Sequence, residues 1–527
     1  SRRTDGVISQ GRHMNRVLWG LVILAMLGGC ASLPRPIDRT DEFATPVSGD
    51  TELDQTVATL LAPFPGQSAA HFLEDGLDAF AARLAAAERA SRTIDAQYYL
   101  FHDDVTGNLY SERLLSAAER GVRVRLLLDD MGAHKRDQHL LVLAAHPNID
   151  VRIFNPFANR SFRAFEYLYR FGFVTRRMHN KSMIVDSVVA ITGGRNIGDD
   201  YFDASNKSNF IDMDVAVFGP AVGDIADQFD AYWNNALSYS IETLAKDAIN
   251  DTELSSAWRE LHEYAQVQKD SVYIKRLDQA RFFEYLRART LPITIGPADV
   301  LVDQPTKVIS PIDDLRTHLG PELWPYFRAS ESELVILNPY FIPGDSGVEV
   351  LADAVRRGCR VVVLTNSLAA NDVAPVHGHY SKYRKPLLRA GVELYELRAD
   401  RPAQLGAQTT TELPAEHMSL HVKTFIFDRE KTFIGSMNLD PRSVFQNTEL
   451  GVIVDDPAMA SKIADLALDS LPTISYRVEM DSDGRLSWRG LDYASGAEQI
   501  FTREPGASLW LRLFAFVSRI LPVESQL

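Results

Sequence analysis

Cysteine is nearly absent from this chain: there are two in 527 residues, Cys30 and Cys359. So few thiols exclude a small disulfide-stapled scaffold. Positive charge is also in deficit, with 55 Lys and Arg against 70 Asp and Glu and a net charge of −15. General nucleic-acid binding needs a basic surface to displace counterions, so that class is disfavoured, although a local basic site is not. Long apolar runs are missing as well. The N-terminal run Val17 to Leu27 has 11 residues; as a helix it would reach about 16 Å across a hydrocarbon core of about 30 Å, too short to span it. What is present is a globular composition, 46% hydrophobic and too apolar for a disordered chain. The length allows about two to four domains.

Residues 1–13 precede the first methionine and are read as added or upstream sequence outside the fold. From Met14, a basic Arg16, a short apolar run and the ending Leu27-Gly28-Gly29-Cys30 make a secretory signal over 14–29. That ending resembles the lipobox of bacterial lipoproteins. The resemblance implies cleavage before Cys30, lipidation of its sulfur, and a mature chain tethered to a membrane of the cell envelope and facing the periplasm. Ala31-Ser32, with no aspartate, leans toward the outer membrane, and the choice of membrane stays open. Loss of residues 1–29 removes four arginines and one aspartate, so the mature chain is three charges more negative. Cys359 then has no partner for an internal disulfide and, opening the run Val361 to Leu364, reads as a buried small hydrophobe.

Prolines at 34, 36, 46, 63 and 65 mark residues 30–70 as a tether. Beyond it, helical spacing over Leu77–Ala90, a strand over Ile94–Leu100, a helix over Leu109–Arg120 and a strand over Val122–Leu128 follow in order. The same order returns at Leu334–Leu337, Gly347–Arg357 and Val361–Leu364. Strand–helix–strand units with glycine-ended helices predict an α/β fold with mostly parallel or mixed sheets. Domains are expected at 71–240 and 306–527, joined by a helical bridge over 241–305.

Self-similarity carries the chemistry. His179-Asn180-Lys181-Ser182-Met183-Ile184-Val185-Asp186 aligns with His421-Val422-Lys423-Thr424-Phe425-Ile426-Phe427-Asp428. Gly193-Gly194-Arg195-Asn196 aligns with Gly435-Ser436-Met437-Asn438, and each Asn follows its His by 17 residues. Each octet reads as a strand entering a hairpin, with His and Lys on one face. Asp186 and Asp428 fall at an odd offset from their histidines, so they read as structural anchors rather than as acid or base. Two imidazoles can act as nucleophile and as acid and base near neutrality. Lys181, Lys423, Gly194, Asn196, Ser436 and Asn438 supply donors suited to a phosphoryl oxyanion. No metal or other cofactor is implied.

The paired pattern resembles the phospholipase D superfamily, over about residues 70–527. The resemblance implies two pseudo-twofold-related α/β/α sandwich domains that form one site. It also implies phosphodiester exchange through a covalent phosphohistidine, with His179 as nucleophile and His421 as acid and base. An acid following each Gly-x-x-Asn loop is expected to hold a histidine's other nitrogen: Asp212, with Asp214 as its rival, and Glu449. Within the superfamily, Leu77–Arg83, Gly121–Asp130, Gly193–Gly198 and Leu521–Glu524 resemble bacterial cardiolipin synthases of the C type. This implies phosphatidyl transfer between phospholipids to give cardiolipin. Hydrolysis to phosphatidic acid, and less readily a phosphodiesterase or nuclease of the same chemistry, remain alternatives.

Other features bear on a lipid substrate. Arg160, Arg163, Arg170, Arg176 and Arg177 are interleaved with aromatics just before His179, and either engage anionic headgroups or sit solvated over a packed helix. Leu509, Leu513, Phe516, Val517, Ile520 and Leu521 fall near helical spacing, as an interfacial helix or one docked on the body. His377, Tyr380 and Arg384 share a helical face, substrate-lining or purely structural. Phe101 to Gly107 reads as a strand-end turn rather than a calcium loop. The expected partners are phospholipids and a membrane, reached through Cys30 and, if interfacial, that last helix, with no nucleic acid.

Overall fold

The computed structural model describes residues 33, 40–133, 135–160, 163, 166–245, 249–400, 417–493 and 495–527. The signal segment and Cys30 lie outside these, as do Phe162 and Phe165 of the arginine-rich stretch.

Parallel strands form the centre of each half. Thr93–Leu100, Arg123–Gly132 and Ile149–Phe154 run parallel in the first, and Glu333–Leu337, Arg360–Asn366 and Glu393–Leu397 in the second. Their aliphatic runs are buried without alternation, as strands covered on both faces must be: Val124, Leu126, Leu127 and Leu128 are all inaccessible, as are Val361 to Leu364. Helices Gly76–Arg89 and Val105–Glu119 cover the first sheet. Each begins at an aspartate, Asp75 or Asp104, whose carboxylate accepts from first-turn amides. Gly121 and Gly358 take positive φ just beyond the helices ending at Glu119 and Arg356, reversing the chain into the next strand.

The first sheet is ordered Thr294–Gly296, Ser68–Leu73, Asp214–Phe218, Val189–Gly193, Ser182–Val185, Thr93–Leu100, Arg123–Gly132, Ile149–Phe154 and Ser238–Ser240. In the second the order is Ala298–Val302, Leu450–Asp455, Lys431–Gly435, Thr424–Phe427, Glu333–Leu337, Arg360–Asn366, Glu393–Leu397 and Ser475–Met480, then Leu486–Leu491 and Glu498–Phe501. From Ser68–Leu73 onward the first sheet matches the start of the second strand for strand, and every pairing has the same sense. The repeat is therefore a repeat of topology as well as of sequence. Between the halves, Ile184, Val215 and Val217 share one core with Ile426, Val452 and Val454.

Three boundaries differ from expectation. Residues 40–61 are docked, not a free tether. Glu42 and Ala44 bond Asn234 and Asp230, and helix Glu52–Leu61 is held by a pair of Arg92–Asp54 bonds of 2.6 and 2.8 Å. An apolar contact supports these bonds: Val57 is buried against Val188 and Val189, with Leu53 and Leu61 beside it at helical spacing. The bridge is helical but belongs to the first half: Trp258 Nε1 donates to the Val142 carbonyl and the Tyr273 hydroxyl to that of Phe202. Its closing residues enter both sheets, Thr294–Gly296 in the first and Ala298–Val302 in the second, so the change of sheet falls at Pro297.

Candidate active site

Each repeated octet is strand only in its second part, Ser182–Val185 and Thr424–Phe427. His179 and His421 precede those strands because their amides bond outside their own sheet. His179 N donates to the Thr448 carbonyl at 2.9 Å and His421 N to that of Ile211 at 2.8 Å. Just before His421, strand His417–Leu420 pairs in parallel with Ser208–Ile211 of the first half. Each histidine is thus carried into the site on backbone that the opposite half holds.

The acids cross in the same way. His179 Nδ1 lies 2.8 Å from Glu449 Oε2, and His421 Nδ1 lies 2.6 Å from Asp212 Oδ2. Both carboxylates are buried, and in its ionised form each favours the ring N–H on Nδ1, leaving Nε2 for the chemistry. The rival Asp214 is taken by Arg83 at 2.9 Å. Spacing along the chain suggests that each acid serves its own repeat's histidine; the packing of the two sheets exchanges them.

Lys181 and Lys423 are 1% exposed, and each ammonium donates to the carbonyl of the histidine two residues before it. Burial and the neighbouring lysines lower His179 well below the usual imidazole range, Lys423 of the other half among them. Burial and Lys423 bring His421 down to about 4, and Lys181 acts on it across the site too. The two motifs therefore meet in a single electrostatic field. Burial also lowers both lysines, Lys423 to about 8.

The two acids are not equivalent. Burial pushes Asp212 up, but His421, Lys423 and Arg195 overcome it and hold it at about 2. Burial dominates at Glu449 and raises it to about 7, despite Lys181 and a hydrogen bond from the Ser436 hydroxyl. Near neutrality His421 faces a full carboxylate, whereas His179 faces one close to its titration point.

Asp186 and Asp428 sit outside this cluster. Asp186 accepts from the amides of Ser91, Arg92 and Thr93 at 2.7–2.9 Å, and Asp428 from those of Glu331, Ser332 and Glu333 at 2.7–3.1 Å. Both have positive φ at the hairpin turn and fasten it to the start of the central strand. The Gly-x-x-Asn loops are largely supports rather than a row of free phosphate donors. A Cβ on Gly194 would lie 2.0 Å from Asp212 Oδ1, so glycine lets that acid approach. Ser436, its counterpart, accepts from Leu450 N and bonds Glu449. Asn196 is occupied by Leu100 N and the Tyr201 hydroxyl. Asn438 differs: its Oδ1 is buried without a partner among the described residues.

Residues without a sequence signal complete the setting. Tyr99 meets His179 edge-on at 5.0 Å between centroids; Tyr201 meets His421 at 5.2 Å and Phe210 lies 5.0 Å from it. Asp129 accepts from Met178 N at 2.9 Å and pairs with Arg177, fixing the approach to His179. Asp303, raised to about 6 by burial despite its pair with Lys307, accepts from Glu449 N. Arg442, whose charge also bears on His179, donates to the Thr175 and Gln526 carbonyls.

Two groups that sequence offered either to substrate or to structure have partners within the chain. His377, Tyr380 and Arg384 are all buried around Glu396 and Glu504. Arg384 donates to Glu396 at 2.7 Å, to Glu504 at 2.6 Å and to His377 Nε2 at 2.7 Å. His377, Glu396 and Glu504 lie close enough to share a cation, but the guanidinium already bridges them. The arginines before His179 are committed as well: Arg160 and Arg163 to Asp130, Arg170 to Glu166, Arg177 to Asp129, and Arg176 to the Ser310 carbonyl. The turn expected over Phe101 to Gly107 ends at Asp104, which caps helix Val105–Glu119 by accepting from Gly107 N. Cys359 is buried, and burial raises its thiol to about 11.

Comparison with known proteins agrees with the duplicated plan. The family described as "Cardiolipin synthase, PLD-like domain" matches residues 84–233 and 323–467, one match in each half. Cardiolipin synthase C of Escherichia coli (strain K12) is 40% identical over 477 residues, 90% of this chain and 99% of that protein. An uncharacterized protein of Helicobacter pylori (strain ATCC 700392 / 26695) is 32% identical over 520 residues, covering 95% and 98% of the two chains. Among solved structures, the phosphatidylserine synthase of Haemophilus influenzae Rd KW20 superposes with a TM-score of 0.54 at 13% identity, over 90% of this chain and all of that one, a likeness of fold.

Proposed function

Because the chain belongs to the cardiolipin synthase family of phospholipase D-like proteins, we propose that it is a phosphatidyltransferase that makes cardiolipin from two phospholipids. The observation that carries this reading is the crossed site: two motif histidines, each holding Nδ1 against a buried acid of the other half.

In the first step His179 Nε2 attacks the donor phosphorus, forming a P–N bond as the P–O bond to the leaving alcohol breaks. His421 gives its Nε2 proton to that departing oxygen, and ionised Asp212 stabilises the imidazolium before transfer. In the second step His421 takes the proton of the acceptor's hydroxyl, the new P–O bond forms, and the P–N bond to His179 breaks. Lys181 and Lys423 offset the charge of the phosphoryl oxygens in a site shielded from water. The more basic pair, His421–Asp212, suits the acid and base role. The less polarised pair, His179–Glu449, leaves its imidazole neutral for attack.

We further propose that lipidated Cys30 tethers the chain in the cell envelope on the periplasmic side. Palmitate labelling that Cys30→Ser abolishes is the expected result.

Purified protein with labelled phosphatidylglycerol should yield cardiolipin and glycerol. His421→Asn should accumulate an acid-labile phosphorus adduct on His179 that His179→Asn cannot form. Phosphatidic acid alone would make the enzyme a hydrolase; neither product from folded protein would refute the reading.

A further inference from the structure

Helix Leu509–Ile520 is inside out for a helix docked on a protein. Amphipathic helices ordinarily bury their large apolar residues. Here the buried positions are small, Ala515 and Ser518, while Leu509, Trp510, Leu513, Phe514, Phe516, Val517, Ile520 and Leu521 are 48–79% exposed. Close docking depends on Gly378 of helix Ala374–Tyr380, where a Cβ would lie 2.4 Å from the Ala515 carbonyl. His379 Nε2 bonds the Ser518 carbonyl at 2.9 Å. The contact is specific, so the outward apolar face is held in place rather than left loose. An exposed patch of this kind on a folded chain marks an interaction surface.

Three observations say what covers it. The helix has no acidic residue and two arginines, Arg512 and Arg519, in a chain of net charge −15. Arg519 is exposed among the apolar residues, whereas Arg512 donates to the Glu504 carbonyl at its base. Its 12 residues reach about 18 Å, too short to cross a bilayer but suited to lying in an interface, with Trp510 and the phenylalanines at headgroup depth. Finally, the helix leads into the site. Its following segment bonds helix Pro441–Phe445 through Arg442 N to the Leu527 carbonyl at 2.9 Å and through Arg442 to the Gln526 carbonyl. That helix directly follows the loop bearing Asn438, and Arg442 bears on His179.

We propose that the Leu509–Ile520 helix lies in the surface of an anionic phospholipid bilayer and sets the mouth of the site against it. This surface is separate from lipidation at Cys30, and only the turnover arm of its test rests on the phosphatidyltransfer reading.

The full chain carrying Cys30→Ser is mixed with vesicles of phosphatidylglycerol and phosphatidylethanolamine whose acyl chains are brominated. Fluorescence from Trp510, isolated by difference against Trp510→Phe, should be quenched. Phosphatidylcholine vesicles should need at least about ten-fold more lipid for the same quenching. Unquenched Trp510 on vesicles that sediment the chain means that protein covers the face, whether a second copy or another segment, and overturns the proposal. Equal quenching by phosphatidylcholine overturns its anionic character. In the turnover arm, Leu513→Glu with Phe516→Glu should lose at least about ten-fold more activity on vesicles than on dispersed short-chain lipid. Equal losses on the two would count against it. Quenching without turnover of either substrate by the parent chain would refute the phosphatidyltransfer reading and leave the surface standing.

Discussion

At the scale of single residues, the informative contrast lies between Asp212 and Glu449. Both hold a histidine Nδ1 and both are buried, yet Asp212 is held at about 2 and Glu449 near 7. An acid that is already half protonated has less charge to lose. Asp212→Asn should therefore reduce kcat on the order of 10³-fold or more, by removing the charge that stabilises the imidazolium and by allowing the wrong tautomer. Glu449→Gln should cost on the order of 10-fold. Single-turnover rates of the two variants against the parent check the order, and equal losses would contradict it. Stability moves in the opposite sense. The raised pKa of Glu449 means that the fold prefers its protonated form, so its contribution is greatest below the usual carboxylate range and declines as pH rises from 4.5 toward 7. Thermal midpoints should thus favour Glu449→Gln over the parent more at about pH 8 than at about pH 5.

At the scale of elements, the motif aspartates act as fasteners. Asp186 satisfies three amides at the start of strand Thr93–Leu100 from a residue with φ of 51°. Asp186→Ala leaves those donors unpaired and puts a Cβ residue without a local hydrogen bond into left-handed backbone. We expect a loss of about 2–4 kcal/mol in urea unfolding. A loss of activity in soluble enzyme with unchanged stability would instead mean a chemical role. The odd offset of seven residues between His179 and Asp186 pointed to this division only on the premise of one regular strand; the strand begins at Ser182, so the anchoring role rests on the amide bonds. The central strands were legible too, because Leu126–Leu128 and Val361–Leu364 are continuous apolar runs, each following a glycine-ended helix. Other elements were not. Helix Glu52–Leu61 attaches through Arg92 as well as through Val57, and Arg160, Arg163 and Arg177 answer to Asp130 and Asp129, partners that only the folded chain brings near. Ion pairs between residues this far apart in sequence leave no periodic trace. The His377–Tyr380–Arg384 face has a regular trace, but helical spacing does not say whether a face looks at solvent, substrate or two buried glutamates.

At the scale of the whole molecule, duplication read from sequence implies one site between two halves, but not how its parts are shared. Spacings of 33 and 28 residues from histidine to acid suggest that each repeat completes its own pair. The two sheets instead pack so that Thr448 and Ile211 receive the histidine amides and the acids beside them fall opposite the foreign ring. Neither half can then orient its own histidine, and in this structure strand His417–Leu420 pairs with Ser208–Ile211 of the same polypeptide. This makes a prediction about mixtures. His179→Asn and His421→Asn each lack one of the two imidazoles, and combining them should give no more turnover than the sum of their residual rates at any concentration. Sites assembled by exchange of halves between chains would behave differently. In an equal mixture half the dimers would pair the two variants, each with one intact site, and activity would return to about a quarter of the parent. Such recovery, growing with protein concentration, would overturn the intrachain assignment; its absence, with both variants folded, ties the crossed acids to a single chain.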